Sequence, residues 1–359
     1  MKVIIAAGGT GGHIYPGIAV AKEILRRDEE SEILFVGSER GLETKIVPEN
    51  GFELSLINSA ALKSVGLVGQ IKGMAILPKS FLEARKIIKN FKPDVVVGAG
   101  GYVTGSVLLM ASLMRIPTLV MDSNALPGFT NRQLARFIDK AALTFEEAMP
   151  YFGKKGVVTG NPVRREFFEI PPKERDAEKF SLLIFGGSQG ARGINVAMVD
   201  ALKHLKNYKN KLQITHQTGK FDFEKVEKGY AENDWETANV TVYISDMVSE
   251  FAKTDLIISR AGATTCAEIS AAGKAAIMVP LPTAADDHQR VNAEALQTAG
   301  AGIMILQKDL SGESLAKQIE NLMNSPEKIT EMEKAAKKLA KRDAAEVTVN
   351  IIEDLAKRN

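Results

Sequence analysis

Short apolar runs rich in β-branched and aromatic residues alternate with amphipathic stretches of helical period along the whole chain. Strands separated by helices return to the same sheet edge as parallel neighbours, so the pattern predicts an α/β fold with parallel sheets. In the first half, strands are expected at Val3–Ala7, Ile33–Val36, Val95–Val97, Thr118–Met121 and Ala141–Thr144, with helices such as Ile14–Arg27 and Phe81–Phe91 between them. In the second half, Leu182–Phe185, Leu212–Thr215, Val240–Ile244, Leu256–Ser259, Ala276–Val279 and Ile303–Leu306 play the same part. Ser181-Leu182-Leu183-Ile184-Phe185-Gly186-Gly187 repeats the plan of Val3-Ile4-Ile5-Ala6-Ala7-Gly8-Gly9, and each run opens a helix. That restart predicts two doubly wound domains in tandem, residues 1–161 and 162–340. Gly160–Arg164 and the polar segment Pro171–Lys179 read as the linker between them. The tail from Pro326 is helical by period, and its Val347, Ile351, Ile352 and Leu355 need a surface to cover; residues 341–359 are expected to pack back on the first domain.

Three glycine-rich turns each follow a strand: Gly8-Gly9-Thr10-Gly11-Gly12-His13, Gly98-Ala99-Gly100-Gly101-Tyr102 and Gly186-Gly187-Ser188-Gln189-Gly190. Such turns let backbone N–H groups and a helix N-terminus approach an anion, so all three are read as phosphate-handling and a nucleotide is the expected ligand. None has the G-x-G-x-x-G order or a Walker pattern, and Glu39 lies too far along the chain for the usual ribose acid, which argues against a nicotinamide cofactor. Ligand is expected outside the carboxyl ends of the sheets, in the cleft between the domains.

Composition changes this picture little. The 359 residues are 45% hydrophobic, enough for two cores, and a formal net charge of +2 calls for no nucleic acid. A single cysteine, Cys266, excludes an intrachain disulfide and a multi-cysteine metal site, and reads as a small buried residue in a reducing compartment. The first apolar run is short and ends in glycine, unlike a signal peptide, so the protein is expected not to be exported. The uncharged stretch Val95–Met114 is broken by Gly98, Gly100, Gly101 and Gly105, and reads as strand, turn and helix rather than a membrane span.

Two further segments carry chemistry. Ser259–Glu268 follows a strand and opens a helix, with Glu268 about one turn inside it. A carboxylate there suits ribose hydroxyls, but Thr265-x-x-Glu268 equally reads as a capping box, and spacing leaves the two readings open. Downstream, the segment from Pro280 to Asn292, with Asp286, Asp287, His288, Gln289 and Asn292, places polar groups at a helix start, as a sugar site or a solvated loop would.

Gly8–His13, Gly100–Tyr102, Gly160–Arg164, Gly186–Ala191 and Arg260–Glu268 occur in the order and spacing of the MurG family, which the whole chain resembles. The resemblance implies a GT-B fold: two Rossmann-like domains, with nucleotide sugar on the C-terminal one and acceptor on the N-terminal one. It implies inverting transfer of N-acetylglucosamine from UDP-GlcNAc to the C4 hydroxyl of the muramoyl sugar of undecaprenyl-pyrophosphoryl-MurNAc-pentapeptide, lipid I, giving lipid II for peptidoglycan. Carried over by position, Glu268 holds the ribose, the Ile244 backbone the uracil, and Ser188 and Arg164 the diphosphate. Thr10, Gly11 and Gly12 close on the donor, and Asn124 and Gln289 meet the amino sugar. Gln189, Ala263, Thr264, Thr265, Cys266 and Ala267 complete the donor set, with Gly100, Gly101 and Tyr102 toward the acceptor.

No Asp-x-Asp motif is present, so no metal or other cofactor is expected; helix amides and Arg164 are left to stabilise the leaving diphosphate. His13 and Asp122 are the candidate bases, His13 slightly ahead. Relatives commonly show His-Glu-x-Asn where this chain has Met121-Asp122-Ser123-Asn124, so a role of that histidine does not transfer. The stretch Leu67–Lys92 interleaves apolar and basic residues, with Leu77, Lys79 and Phe81 expected at an anionic membrane surface and Ile87 and Ile88 on the sheet. The implied location is peripheral, on the cytoplasmic face of the inner membrane, with cell-wall synthesis proteins as further candidate partners. The alternatives are a GT-B transferase with another lipid acceptor such as diacylglycerol, a UDP-GlcNAc 2-epimerase, and a silent sugar-nucleotide binder.

Overall fold

The computed structural model describes residues 1–359 except 40, 60–66, 177, 285–286 and 358–359, and side chains of the helix Leu67–Phe91 only from Ile76 onward. The chain divides into two compact units, Met1–Arg164 with Lys341–Asn359, and Arg165–Ala340.

The first unit holds a parallel sheet of β1 (Lys2–Ala7), β2 (Glu32–Gly37), β3 (Glu53–Leu56), β4 (Val95–Gly100), β5 (Thr118–Asp122), β6 (Lys140–Leu143) and β7 (Gly156–Val158), in the order β3-β2-β1-β4-β5-β6-β7. Successive strand residues feed opposite faces, as the period of 2 requires. Val3, Ile5, Phe35, Val95 and Val97 pack with Ile14 and Ile18 of the helix Gly11–Arg27, while Ile4, Val36, Val96 and Val120 pack with Val103, Val107 and Leu108 on the other side. The C-terminal helix Ala344–Ala356 joins the first of these layers: Val349, Ile352 and Leu355 are buried there, each stabilising the unit by roughly 1.5–3 kcal/mol. Arg27 fastens the helix, reaching Asn350 at 2.7 Å and Glu353 at 3.2 Å.

The second unit repeats the plan with β8 (Phe180–Phe185), β9 (Leu212–Gln217), β10 (Asn239–Thr241), β11 (Leu256–Ser259), β12 (Ala275–Met278) and β13 (Gly302–Met304), ordered β10-β9-β8-β11-β12-β13. Its core gathers Leu182, Ile184, Met198, Tyr230, Trp235, Leu315 and Ile319.

In each sheet the strand order reverses once, at β1/β4 and at β8/β11. The crevice outside the carboxyl ends of such a pair is where doubly wound sheets take ligands. The glycine turns follow β1, β4 and β8, and the Arg260–Glu268 segment follows β11, so all four lie at a switch point.

Several expectations are corrected. The edge strands β3 and β7 were not anticipated. β4 runs on through Gly98 and Ala99 to Gly100, so most of the second glycine turn is strand, and a Cβ on Gly98 would meet Thr104 and Leu108. The strand expected at Val240–Ile244 ends at Thr241. The tail is two helices, Pro326–Leu339 and Ala344–Ala356, divided at the unit boundary.

Candidate functional site

At the first switch point, helix Gly11–Arg27 begins at Thr10, whose carbonyl accepts the His13 N–H at 3.1 Å. The helix therefore carries His13 in its first turn. The imidazole lies against Gly100, where any Cβ would collide with it. Gly101, at φ +87°, packs against the Gly8 backbone, and Gly8 donates to the Gly100 carbonyl at 3.2 Å. Glycine is required here because the two turns touch through their backbones.

Around this junction lies a cavity of about 540 Å³, whose walls include Thr10, His13, Tyr102, Asp122, Asn124 and Phe81. Gly100, Gly101 and Leu77 border it as well. Gly12 and Asp122 reach a smaller neighbouring hollow beside Asn161. Burial pushes the His13 pKa below its ordinary 6.5, opposed by a hydrogen bond to the Ala99 carbonyl and by the Glu43 charge. At neutral pH the ring is therefore uncharged, with one nitrogen donating to Ala99 and the other an acceptor.

Asp122 is buried, and its oxygens are engaged: Oδ1 accepts from Asn124 N at 3.0 Å, and Oδ2 from Gly128 N at 3.1 Å and Asn131 Nδ2 at 2.8 Å. Desolvation raises its pKa against these bonds. Its evident task is to fold the loop after β5, including Asn124, around the cavity.

The turns read as phosphate-handling differ among themselves. In the first, the Gly9 N–H is given to the Glu43 carboxylate at 2.9 Å, and in the second the Gly100 N–H meets Thr104 Oγ1 at 3.2 Å. One amide of the first turn is thus committed to a carboxylate and one of the second to a hydroxyl, so neither of these two is open to an anion. In the third, the N–H groups of Gly187, Ser188 and Gln189 have no partner among the described residues, and helix Arg192–Leu202 begins just beyond. Amides left open just before a helix start suit an anion.

The same switch point brings in the other second-unit candidates. Gln217, at the end of β9, donates to the Gly187 carbonyl at 2.9 Å and accepts the Ile244 N–H at 2.9 Å. Its one amide ties the turn to the segment expected to meet a base. The Ile244 N–H is thereby committed to Gln217. Sequence reading passed over Gln217, and the signal available was its place two residues past the strand expected at Leu212–Thr215 and just before Thr218-Gly219, which lie under Gly190 and Gln189.

Helix Ala263–Ala272 starts from Gly262 as its extended N-cap, with no side-chain cap, so the capping-box reading of Thr265 and Glu268 is overturned. Glu268 is buried in the second turn, while Ala263, Thr265 and Ala267 are partly exposed and Thr264 and Cys266 buried. Burial pushes the Cys266 thiol up to about 12, leaving it unreactive. Arg260 lies beneath, donating to the Val279 and Pro280 carbonyls at 3.0 and 3.1 Å. Gln289 Oε1 accepts from Leu281 N at 3.0 Å and so shapes the loop before its helix; Asp286 lies outside the described residues.

Arg164 belongs to the first unit, its guanidinium 4.2 Å from the Tyr15 ring centre. In the helix Leu67–Phe91, Leu77 and Phe81 are half-buried cavity wall rather than outward-facing, while Lys79 and Leu82 are exposed and Ile88 is buried on the sheet. The side chains of Leu67, Ile71, Lys72 and Met74 lie outside those described. Among the described residues no cluster of His, Cys, Asp and Glu suits a metal ion, and no helix is long and apolar enough to cross a membrane.

Comparison with known proteins matches the two halves of the chain to two family domains. The glycosyltransferase family 28 N-terminal domain matches residues 3–143, and the family 28 C-terminal domain residues 181–348. A UDP-N-acetylglucosamine–N-acetylmuramyl-(pentapeptide) pyrophosphoryl-undecaprenol N-acetylglucosamine transferase of Myxococcus xanthus is 46% identical, over 99% of this chain and 93% of its own. The crystal structure of Acinetobacter baumannii MurG superposes with a TM-score of 0.73 at 33% identity, covering 98% of this chain and 99% of that one. A putative UDP-N-acetylglucosamine 2-epimerase of Listeria monocytogenes also superposes, at TM-score 0.73 over 100% of this chain and 97% of its own, but at 14% identity it shares the fold alone.

Proposed function

The chain belongs to glycosyltransferase family 28, and from that membership and the two switch points we infer that it is the GT-B enzyme that moves N-acetylglucosamine from UDP-GlcNAc to lipid I, forming lipid II. In this reading the second unit takes the nucleotide sugar. The free amides of Gly187, Ser188 and Gln189 and the helix behind them receive the diphosphate, the Ile244 backbone reads uracil, and Glu268 accepts from the ribose. Charge that grows on the leaving UDP meets donors already in place, each hydrogen bond to a charged group contributing about 1.5–3 kcal/mol. Within the second unit, the amino sugar falls to Gln289.

The first unit takes the acceptor. Its C4 hydroxyl attacks the anomeric carbon as UDP departs from the opposite face, and the proton goes to the unprotonated nitrogen of His13. The observation that carries this assignment is the half-buried His13 imidazole in the wall of a cavity large enough for a sugar, whereas Asp122 is committed to its loop. No metal enters the scheme: the amide cradle does the work a divalent ion would otherwise do.

Recruitment to a lipid-linked substrate falls to the helix Leu67–Phe91, whose Lys79, Leu82, Arg85, Lys86 and Lys89 are exposed. Apolar and basic side chains together suit an anionic leaflet, here the cytoplasmic face of the plasma membrane where nucleotide sugars are found.

Incubating labelled UDP-GlcNAc with and without lipid I tests the reading. Label is expected in lipid II only when acceptor is present. Epimerised sugar without acceptor would move the protein to the isomerases that share its fold, and transfer to diacylglycerol but not lipid I would replace the acceptor.

A further inference from the structure

Glu43 is a fully buried carboxylate to which the transfer scheme gives no task. Its Oε2 accepts the Gly9 N–H at 2.9 Å, while Oε1 accepts both the N–H and the hydroxyl of Ser38 at 2.7 Å. The neighbouring Leu42 N–H meets the Gly9 carbonyl at 3.2 Å, so residues 42 and 43 hold both polar groups of Gly9. The carboxylate is caged by glycines. A Cβ on Gly8 would stand 2.8 Å from its Oε1, and one on Gly37 or Gly41 would collide with the side chain. This immobilised charge underlies the turn that leads directly into the helix bearing His13.

We propose that Glu43 is a positioning residue for the His13 base: it clamps the Gly8–Thr10 turn and supplies the fixed negative charge against which the His13 imidazolium forms as the acceptor hydroxyl loses its proton. The proposal rests on the reading of His13 as base. The proton passes from the hydroxyl oxygen to the free imidazole nitrogen, the oxygen's electron pair forms the new glycosidic bond, and the old bond's pair leaves with UDP; Glu43 exchanges no proton. The Glu43 charge already acts on the His13 titration in the required direction, against the larger effect of burial. Among the described residues, the other titratable side chains lining the same cavity are Asp122 and Tyr102, and Tyr15 follows two residues on in the same helix, stacked with Arg164. Asp122 has its oxygens engaged by Asn124, Gly128 and Asn131, so Glu43 is the carboxylate aimed at the turn itself.

The test has two arms. The chain has 4 histidines, so the His13 ring resonance can be assigned by its loss in His13→Gln and titrated by NMR without substrate. In Glu43→Gln the His13 midpoint is expected at lower pH than in the wild type, and in Glu43→Asp, which withdraws the charge by one methylene, part of the way there. An unmoved midpoint in the folded variants overturns the proposal, and Glu43→Asp decides the matter should Glu43→Gln not fold. In the second arm, the acidic limb of turnover should move the same way, with kcat down roughly tenfold, a fraction of the 10²–10⁴ a base supplies, and the donor KM unchanged. A shifted midpoint with an unmoved limb overturns the catalytic part, since a merely structural carboxylate would lower turnover without moving the limb. Absence of lipid II from the wild type would refute the transfer reading and leave the NMR result standing.

Discussion

His216 makes the stability of the second unit a function of pH, and the size of the effect follows from its surroundings. It is wholly buried on β9, with Nδ1 3.0 Å from the Tyr230 hydroxyl and Nε2 3.1 Å from Asn195 Oδ1. The Asn195 amide nitrogen already donates to Thr218 O and Asp222 Oδ2, both at 2.9 Å, so its oxygen must accept and the Nε2 of His216 must carry the proton. Nδ1 is then the acceptor for Tyr230. A second proton on the ring would set two donors against each other in a dry core, and burial accordingly pushes the His216 pKa from 6.5 to about 3. Because the folded value is depressed, the unfolded chain binds more protons below pH 6.5: the unit is fully stabilised above that pH, and the stability is lost progressively as pH falls toward 3. The slope is about 1.4 kcal/mol per pH unit, so lowering the pH from 7.5 to 4.5 should cost about 2–3 kcal/mol from this residue.

The chain's single tryptophan, Trp235, is buried in the same core, so its fluorescence during urea unfolding reports this unit. His216→Gln keeps a donor toward Asn195 without a titrating group. The difference in unfolding free energy between wild type and variant should shrink by that amount between pH 7.5 and 4.5. Parallel loss in the two proteins over this range would refute the argument.

Other residues make sharper statements about the reaction. Glu268→Ala should weaken UDP-GlcNAc binding at least tenfold by calorimetry, with Glu268→Gln retaining part of it, and an unchanged affinity would remove the carboxylate from the ribose. Gln217→Ala frees both the Gly187 turn and Ile244, and should weaken UDP binding about tenfold while Trp235 unfolding moves little; intact affinity would show that the two segments hold themselves. His13→Gln should lower kcat by 10²–10⁴-fold and abolish the acidic limb with the donor KM kept, whereas Asp122→Asn, which faces the Gly128 and Asn131 donors with an amide, should destabilise the first unit by about 1–3 kcal/mol per lost bond and keep the limb. Turnover should persist in EDTA, and loss restored by magnesium would refute the metal-free scheme. Leu82→Ser with Lys79→Glu should reduce pelleting with anionic vesicles and spare turnover of a short-chain soluble acceptor; equal loss on both would point to the acceptor site instead.

The sequence by itself determined the architecture. Runs such as Val3–Ala7 and Leu182–Phe185 are apolar at every position, short, and closed by glycine, which suits a strand buried on both faces. The helices between them made the sheets parallel, and the restart at Ser181 announced a second unit. What local pattern lacked was any mark for short edge strands: β3 reads Glu-Leu-Ser-Leu and β7 Gly-Val-Val, half-exposed and held by pairing to a neighbour rather than by their own composition.

The site was legible as segments and not as contacts. Glycines after strands marked where backbone comes close, but which amides stay free depended on partners distant in sequence. Glu43 takes Gly9 from 34 residues away, and Thr104 takes Gly100 from within the next helix. A glutamate at the start of a short helix looks like a solvated surface residue until two turns and a strand end fold around it. The ambiguity at Glu268 was likewise beyond spacing, because a capping box and a ligand carboxylate have the same letters. The backbone removed only the capping box, by capping the helix at Gly262 rather than at Thr265. Gln217 and His216, adjacent on one strand, point to opposite faces, one to the ligand turn and one into the core. Sequence gives that alternation, but which face holds the chemistry is settled only when the chain from Gly187 and from Ile244 arrives at one end of the strand, since hydrogen-bond partners are chosen by proximity in space.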